Sequence, residues 1–259
     1  MKPIFEKIIT HSGNFHADEI LAIILLKQFK FINDKTIIER RIPTILELND
    51  TCICCLDVGL SYSPSCGNFD HHHNNQLAAT CQLVWRYLHA HHQIDDWEYK
   101  NAPLAAFIKK VSQIDTGVIA NGGELGFFNS FIKQFNGTKN GFNKALKWGE
   151  QTWELMWWNH TQLKLERKQF RQLKTDTKVI VYQDHKFKNW HYLANELGIE
   201  FLISPLNKEQ WIIRSVHPQK YPLPIRSDYI FRHNSGFMAI IASKRKALEI
   251  VKEILELCS

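Results

Sequence analysis

Three side chains able to bind a metal ion fall within eight residues in His11-Ser-Gly-Asn-Phe-His16-Ala-Asp18. The stretch leaves a short apolar run, Lys7 to Thr10, and enters a helical pattern, so it lies at a strand-to-helix turn, where sites form in open α/β sheets. Three more clusters share this character. Asp57 opens Asp57-Val58-Gly59 at the end of a very apolar run, where a carboxylate is costly to bury unless it is paired or holds a metal. Asp70 is followed by three histidines, His71, His72 and His73. Asp115 ends another apolar segment in Ile114-Asp115-Thr116-Gly117. Each cluster has a plain alternative: Asp18 as a helix-start acid, the histidine run as a surface patch, Asp115 as a helix cap. Together, imidazoles and carboxylates at four element ends suit Mn²⁺, Zn²⁺ or Fe²⁺. They are enough for two metals about 3.5 to 4 Å apart sharing a bridging carboxylate, an arrangement that suits attack on phosphorus.

The elements that must position these groups follow from periodicity. Asp18 to Phe29 reads as a helix, with Ile20, Leu21, Ile23, Ile24, Leu25 and Leu26. Thr36 to Ile42 and Thr51 to Val58 read as strands, and Asn68 to Asp70 as the start of another. Ala78 to His91 and Ala102 to Ile114 read as helices. Strands alternating with helices predict an α/β fold with a mostly parallel sheet. Gly117 to Gly141 reads as loop-rich. Ala145 to Leu173 reads as one long helix carrying Trp148, Trp153, Trp157 and Trp158, expected to serve packing. Beyond Lys178 the expected strands are Val179 to Tyr182, Phe201 to Ser204, Trp211 to Val216 and Phe237 to Ala242, followed by a helix from Lys244 to Cys258. The expected organisation is an N-terminal metal-binding catalytic domain over 1–145, a connecting helix over 146–175, and a smaller α/β domain over 176–259.

The 259 residues, 44% hydrophobic and 22% charged, describe a globular chain with room for a real core. No apolar run approaches the roughly 18 to 20 residues of a membrane span. Met1 to Thr10 shows no cleavage signal, so a cytoplasmic location is expected. A net charge of +6 permits an anionic partner without demanding one. The spacing of Cys52, Cys54, Cys55, Cys66, Cys81 and Cys258 fits neither a zinc ribbon nor a disulfide framework, so reduced thiols are expected. The tryptophan-rich helix can also bury a partner surface, which allows a homodimer.

The order of these motifs resembles the DHH phosphoesterase superfamily. The wording from His11 to Glu19 is similar to the opening of its MYG family, whose better-known members act as RNA exonucleases. Phe69-Asp70-His71-His72, Leu83-Val84-Trp85 and Phe231-Arg232-His233-Asn234-Ser235-Gly236-Phe237 fit as well. The resemblance implies one metal on His11, His16 and Asp57. It implies a second on Asp18, Asp57, His71 and Asp115, with Asp57 bridging. Asp57, His72 and Asp70 would carry catalysis, His72 facing the substrate phosphate and Asp70 orienting a histidine. Mn²⁺ would be preferred, with Mg²⁺, Co²⁺ or Zn²⁺ as alternatives. A C-terminal lobe would close over the centre and grip substrate through Arg232, His233 and Gly236, with Arg214 and Arg226 as secondary candidates.

The chain departs from that pattern in three places. His16 stands where much of the superfamily has Asp. His73 stands where Gln is expected, so a slipped register, with His72 as ligand and His73 facing substrate, stays open. The second lobe is short. The function expected is hydrolysis of short RNA or nucleotide phosphodiesters. Pyrophosphate, nucleoside bisphosphates or cyclic dinucleotides are alternative substrates, and a non-catalytic nucleotide-binding protein is the alternative of another class.

Overall fold

The computed structural model describes residues 5–120, 123–173, 177–183 and 187–257. The chain forms two compact units, Met1–His160 and Thr161–Ser259, and the division falls inside the long helix.

In the first unit, a five-stranded sheet runs in the order β2-β1-β3-β5-β4, built from β1 (Lys7–Thr10), β2 (Ile37–Arg40), β3 (Ile53–Leu56), β4 (Tyr62–Ser63) and β5 (Asn68–Phe69). The pairs β1–β2, β1–β3 and β3–β5 are parallel, and only β4 runs against its neighbour. Parallel pairing puts the carboxyl ends of β1, β2, β3 and β5 on one edge, so the residues that follow them converge there.

Helix α1 (Ala17–Gln28) is apolar on all sides, and every residue from Ala17 to Leu26 is buried. Such a helix cannot sit on a surface. It packs against α3 (Thr80–Ala90), α5 (Pro103–Asp115) and α6 (Gly123–Gln134). The short helices α2 (Ile45–Leu48) and α4 (Asp96–Lys100) each begin with a reciprocal capping box, on Thr44 and Asp95.

Helix α6 corrects the loop expected over 117–141. Its two glycines and Asn129 weigh against a helix by propensity. Buried Phe128 and Ile132, one turn apart, outweigh that by packing into the core. Gly122 lies outside the described residues. The long helix α7 (Gly141–Gln172) begins earlier than expected. Trp148 stacks on Phe131 at 4.5 Å, Trp157 meets Phe29 at 5.3 Å, and Trp153 donates to Gln28 Oε1. These contacts bind the first half of α7 to the N-terminal unit, so that unit reaches His160 rather than stopping at 145. Trp158 is half exposed.

The second unit holds a mixed sheet in the order β6-β7-β8-β10-β9. Its strands are β6 (Val179–Val181), β7 (Phe201–Pro205), β8 (Trp211–Ser215), β9 (Tyr229–Arg232) and β10 (Met238–Ile241). Among the described strands of this sheet only β6–β7 is parallel. Helix α9 (Lys244–Leu257) lays Ala247, Ile250, Val251 and Ile254 against Phe201, Ile203, Ile213 and Ala239 of the sheet. Strand β9 and helix α8 (Trp190–Glu196) are additional to the expected elements, and Cys258 lies outside the described residues. No described helix is long and apolar enough to cross a membrane.

Candidate metal centre

The carboxyl edge of the first sheet gathers the clusters that the sequence separates. His11 follows β1, Asp57 follows β3, and Asp70, His71 and His72 follow β5, while Asp115 ends α5. Loop 11–16 returns to the start of α1, where Asp18 and Glu19 occupy the first turn. Two side-chain clamps hold that loop. Asn136 accepts from Phe15 N at 2.9 Å and donates to Phe15 O at 2.8 Å. Arg40 donates to Gly13 O at 2.7 Å.

Ligand-type atoms meet in three overlapping groups: His11, His16, Glu19 and Asp57; Asp57, His71 and His72; and Asp18, His71 and Asp115. Asp57 links the first two and His71 the last two. Asp57 Oδ2 is 3.4 Å from His11 Nε2, and its Oδ1 is 3.3 Å from His71 Nε2. Asp115 spans His16 Nδ1 at 3.6 Å and His71 Nε2 at 3.3 Å.

Asp57 adopts a left-handed backbone, φ 58°, followed by Gly59 at φ 102°. At that φ a side chain would be strained, so the turn favours glycine. A left-handed backbone on a residue with a side chain costs energy and persists where the surroundings over-determine it. The turn aims both Asp57 oxygens inward.

The test of fit to a cation is what these buried atoms bond to. His11 Nε2, Glu19 Oε1, both Asp57 oxygens and His71 Nε2 are buried without hydrogen-bond partners. His11 Nε2 and Glu19 Oε1 are only 2.9 Å apart, but they are not aligned as a hydrogen bond, so their proximity is that of an ion pair. Buried polar atoms without a hydrogen bond are rare in folded interiors, and here only opposite charges 2.9 to 3.4 Å away compensate them. Five that face one another form a cradle fitting divalent cations. The donors are oxygen and imidazole nitrogen with no thiolate, a set that suits Mn²⁺, Mg²⁺ or Zn²⁺ over soft metals.

The electrostatics agree. The Glu19 carboxylate beside His11 raises that imidazole to about 9, and Asp115 and Asp57 raise His71 to about 10. Burial pushes the Asp57 carboxyl upward, but His71, His11 and His72 outweigh it and hold it below its ordinary value. Burial, then the Asp115 and Asp57 charges, push Asp18 up, and burial pushes Glu19 up. A cation would replace the protons as the compensating charge.

Individual placements refine the expected site. Asp18 is wholly buried, and its oxygens accept from Thr80 N and Cys81 N, both at 2.8 Å, at the start of α3. It therefore anchors a helix as well as facing His71 and Asp115. In the histidine run, His71 Nε2 points into the cluster. His72 Nδ1 lies 2.7 Å from Asp70 Oδ1, with its side chain about half exposed, and His73 is exposed. Glu19 is the residue that sequence reasoning passed over as a ligand. The available signal was its place beside Asp18 in the first turn of a helix otherwise apolar through Leu26.

In the second unit, Arg232 Nε donates to Leu223 O at 2.7 Å, and His233 Nδ1 contacts Ser235 Oγ at 2.9 Å. Gly236, at φ 71°, sits where a Cβ would come within 3.2 Å of Leu223 N. Arg214 Nη1 donates to Ser204 Oγ at 3.0 Å, in the wall of a cavity shared with Tyr182 and Trp211. Arg226 is paired with Asp228 and Glu253.

Residues 7–87 match the family model described as Uncharacterised protein family (UPF0160). The chain is 32% identical over 138 residues to the MYG1 protein of Chlamydia trachomatis serovar D, covering 52% of this chain and 46% of that one. It is 43% identical over 65 residues to the MYG1 protein of Dictyostelium discoideum, covering 25% and 19%. It is 39% identical over 66 residues to the MYG1 exonuclease of Homo sapiens, covering 26% and 17%. The matches thus span less than half the length of these relatives, and the family match takes in β1 to most of α3, including every candidate metal ligand above except Asp115. A solved structure of an uncharacterized protein from Helicobacter pylori G27 aligns with 96% of this chain and 99% of its own, at 11% identity and a TM-score of 0.28, too low to indicate a shared fold.

Proposed function

We propose that this protein is a divalent-metal-dependent phosphodiesterase of the DHH type, acting on short RNA or nucleotides as an exonuclease, with Mn²⁺ preferred. The observation that carries this reading is the set of five buried, mutually facing polar atoms on His11, Glu19, Asp57 and His71 that find no hydrogen-bond partner. Support also comes from the exonuclease name of the human relative, 39% identical over 66 residues. Cations bound there would polarise a phosphoryl oxygen and make a water more acidic.

The chain's own residues would do the rest. His11, His16, Glu19 and Asp57 would hold one cation, and Asp57, Asp18, His71 and Asp115 the other, Asp57 bridging. Asp70 fixes the His72 ring through Nδ1, and in its imidazolium form that ring would donate from Nε2 to a phosphate oxygen. In the reaction, the oxygen of water joins phosphorus, the ester P–O bond breaks, and the departing oxygen takes a proton. Arg232, His233, Gly236 and Arg214 remain proposed substrate-binding residues of the second unit.

The test is Asp57→Asn, because asparagine tolerates the left-handed backbone that alanine would strain. Mn²⁺-dependent hydrolysis of a short RNA should fall by about 100-fold or more, since even outer partners of metal ligands are worth about 10- to 100-fold. Elemental analysis of wild-type protein purified without chelators should give about two equivalents of metal, as a paired site requires. Wild-type rates in a folded variant would end the reading.

A further inference from the structure

Arg40 closes β2 and lies opposite Thr10 in the parallel register, so it reaches the carboxyl edge of the sheet beside the metal-binding loop. Its Nη2 donates to Gly13 O. Its guanidinium carbon lies 5.3 Å from the centre of the Phe15 ring and 4.8 Å from that of Phe142, and the two rings meet edge to face at 5.6 Å. Its Nε is buried and has no hydrogen-bond partner. The adjacent Arg41 is committed to Glu39 and Glu47, yet among the described residues no carboxylate pairs with Arg40.

A guanidinium carries five N–H donors in a planar fork that matches phosphate. Here one donor is used, on a neutral carbonyl. Among the described residues no carboxylate of Asp18, Glu19, Asp57 or Asp115 pairs with it, so its charge is not neutralised by the cluster, and its bond to Gly13 O, two residues from His11, ties it to the loop that carries the first candidate ligands. The two rings and Gly13 O fix it there. A preorganised cation with unused donors, next to a centre suited to phosphoryl groups, has an anion as its natural partner.

We infer that Arg40 grips a phosphate adjacent to the scissile one, so that the site selects substrates carrying at least two phosphates. The inference rests on the phosphodiesterase reading above and adds the substrate class: an oligonucleotide or a terminally phosphorylated dinucleotide, over a lone diester.

The experiment compares two substrates with Mn²⁺ and the full chain: a 5′-phosphorylated dinucleotide, which has two phosphates, and bis(p-nitrophenyl) phosphate, which has one. Arg40→Met keeps an unbranched stem against Phe15 and Phe142 but removes the charge; Arg40→Lys keeps the charge. For Arg40→Met, the preference for the dinucleotide, as a ratio of kcat/KM values, should fall by about tenfold, chiefly through KM. Arg40→Lys should restore part of the preference. The dependence of log KM on log salt should lose about one phosphate contact in Arg40→Met. Equal losses on both substrates would assign Arg40 to holding the loop alone and overturn the inference, as would no loss on either. If wild-type protein cleaves neither substrate, the hydrolase reading fails by itself. Arg40 is then judged by dinucleotide binding, and equal affinity of wild type and Arg40→Met overturns its role.

Discussion

Glu19 shows how one side chain divides its work. Its Oε2 accepts from His16 N at 2.8 Å and closes the first turn of α1, while its Oε1 is buried toward His11 without a hydrogen bond. Glu19→Gln keeps an oxygen for the cap and removes the charge from the cluster. Mn²⁺ affinity, measured by titration of the chelator-treated protein, should fall by about 10- to 100-fold while α1 stays formed. Unchanged affinity would reduce Glu19 to a helix cap. The residue scale is also where the sequence is least complete. Histidines and acids at four element ends can be picked out as ligand types from their order along the chain. Which of them face each other cannot, because His11 to Asp57 and His71 to Asp115 are meetings across the sheet edge. Glu19 and Arg40 were missed for the same reason: a capping glutamate and a strand-end arginine look ordinary until the loop they flank is folded. The choice between His71 and His72 as the inward residue likewise depends on the turn after β5, where Asp70 captures His72.

At the scale of elements, strong periodicity or burial made β1, α1, β3, α5 and α9 legible to within a few residues. The segment over 123–134 was not, because local propensity and tertiary packing disagree there and packing prevails. Short α2 and α4 carry too few residues for a period, and their signal is the capping box alone. The close approach of α7 to α1 is a further feature of packing rather than pattern. A Cβ on Gly149 would lie 2.8 Å from Ile24 Cδ1 and 3.3 Å from Ile20 Cγ2, so glycine lets the two helices meet. Gly149→Val should therefore overpack the buried helix that starts at Asp18 and Glu19. The expected cost is about 1–3 kcal/mol, read as a thermal midpoint several degrees lower. A midpoint equal to wild type would show that Ile24 swings aside at no cost.

For the whole molecule, the charge balance at the centre couples folding to pH and to metal. In the metal-free protein His11 and His71 titrate near 9 and 10, against 6.5 for a free imidazole. A raised folded value means that the folded state holds protons the unfolded chain releases. The stability so supplied is full below about pH 6.5 and is lost as pH climbs through 9 and 10. Asp18 and Glu19, also raised but by burial, act in the same direction. They ionise less readily folded than unfolded, so rising pH again favours the unfolded chain. The first sheet edge without cations should thus weaken steadily toward alkaline pH. Bound cations take over the compensating charge, and proton competition for the imidazoles fades as pH rises. Thermal melts of chelator-treated and Mn²⁺-loaded protein from pH 6 to 8.5 should therefore diverge. The metal-free midpoint should fall with pH, and the gain from Mn²⁺, set by the ratio of metal concentration to its dissociation constant, should grow. Parallel curves would mean that protons and metal do not compete at His11 and His71, and the cradle would lose its meaning as a cation site.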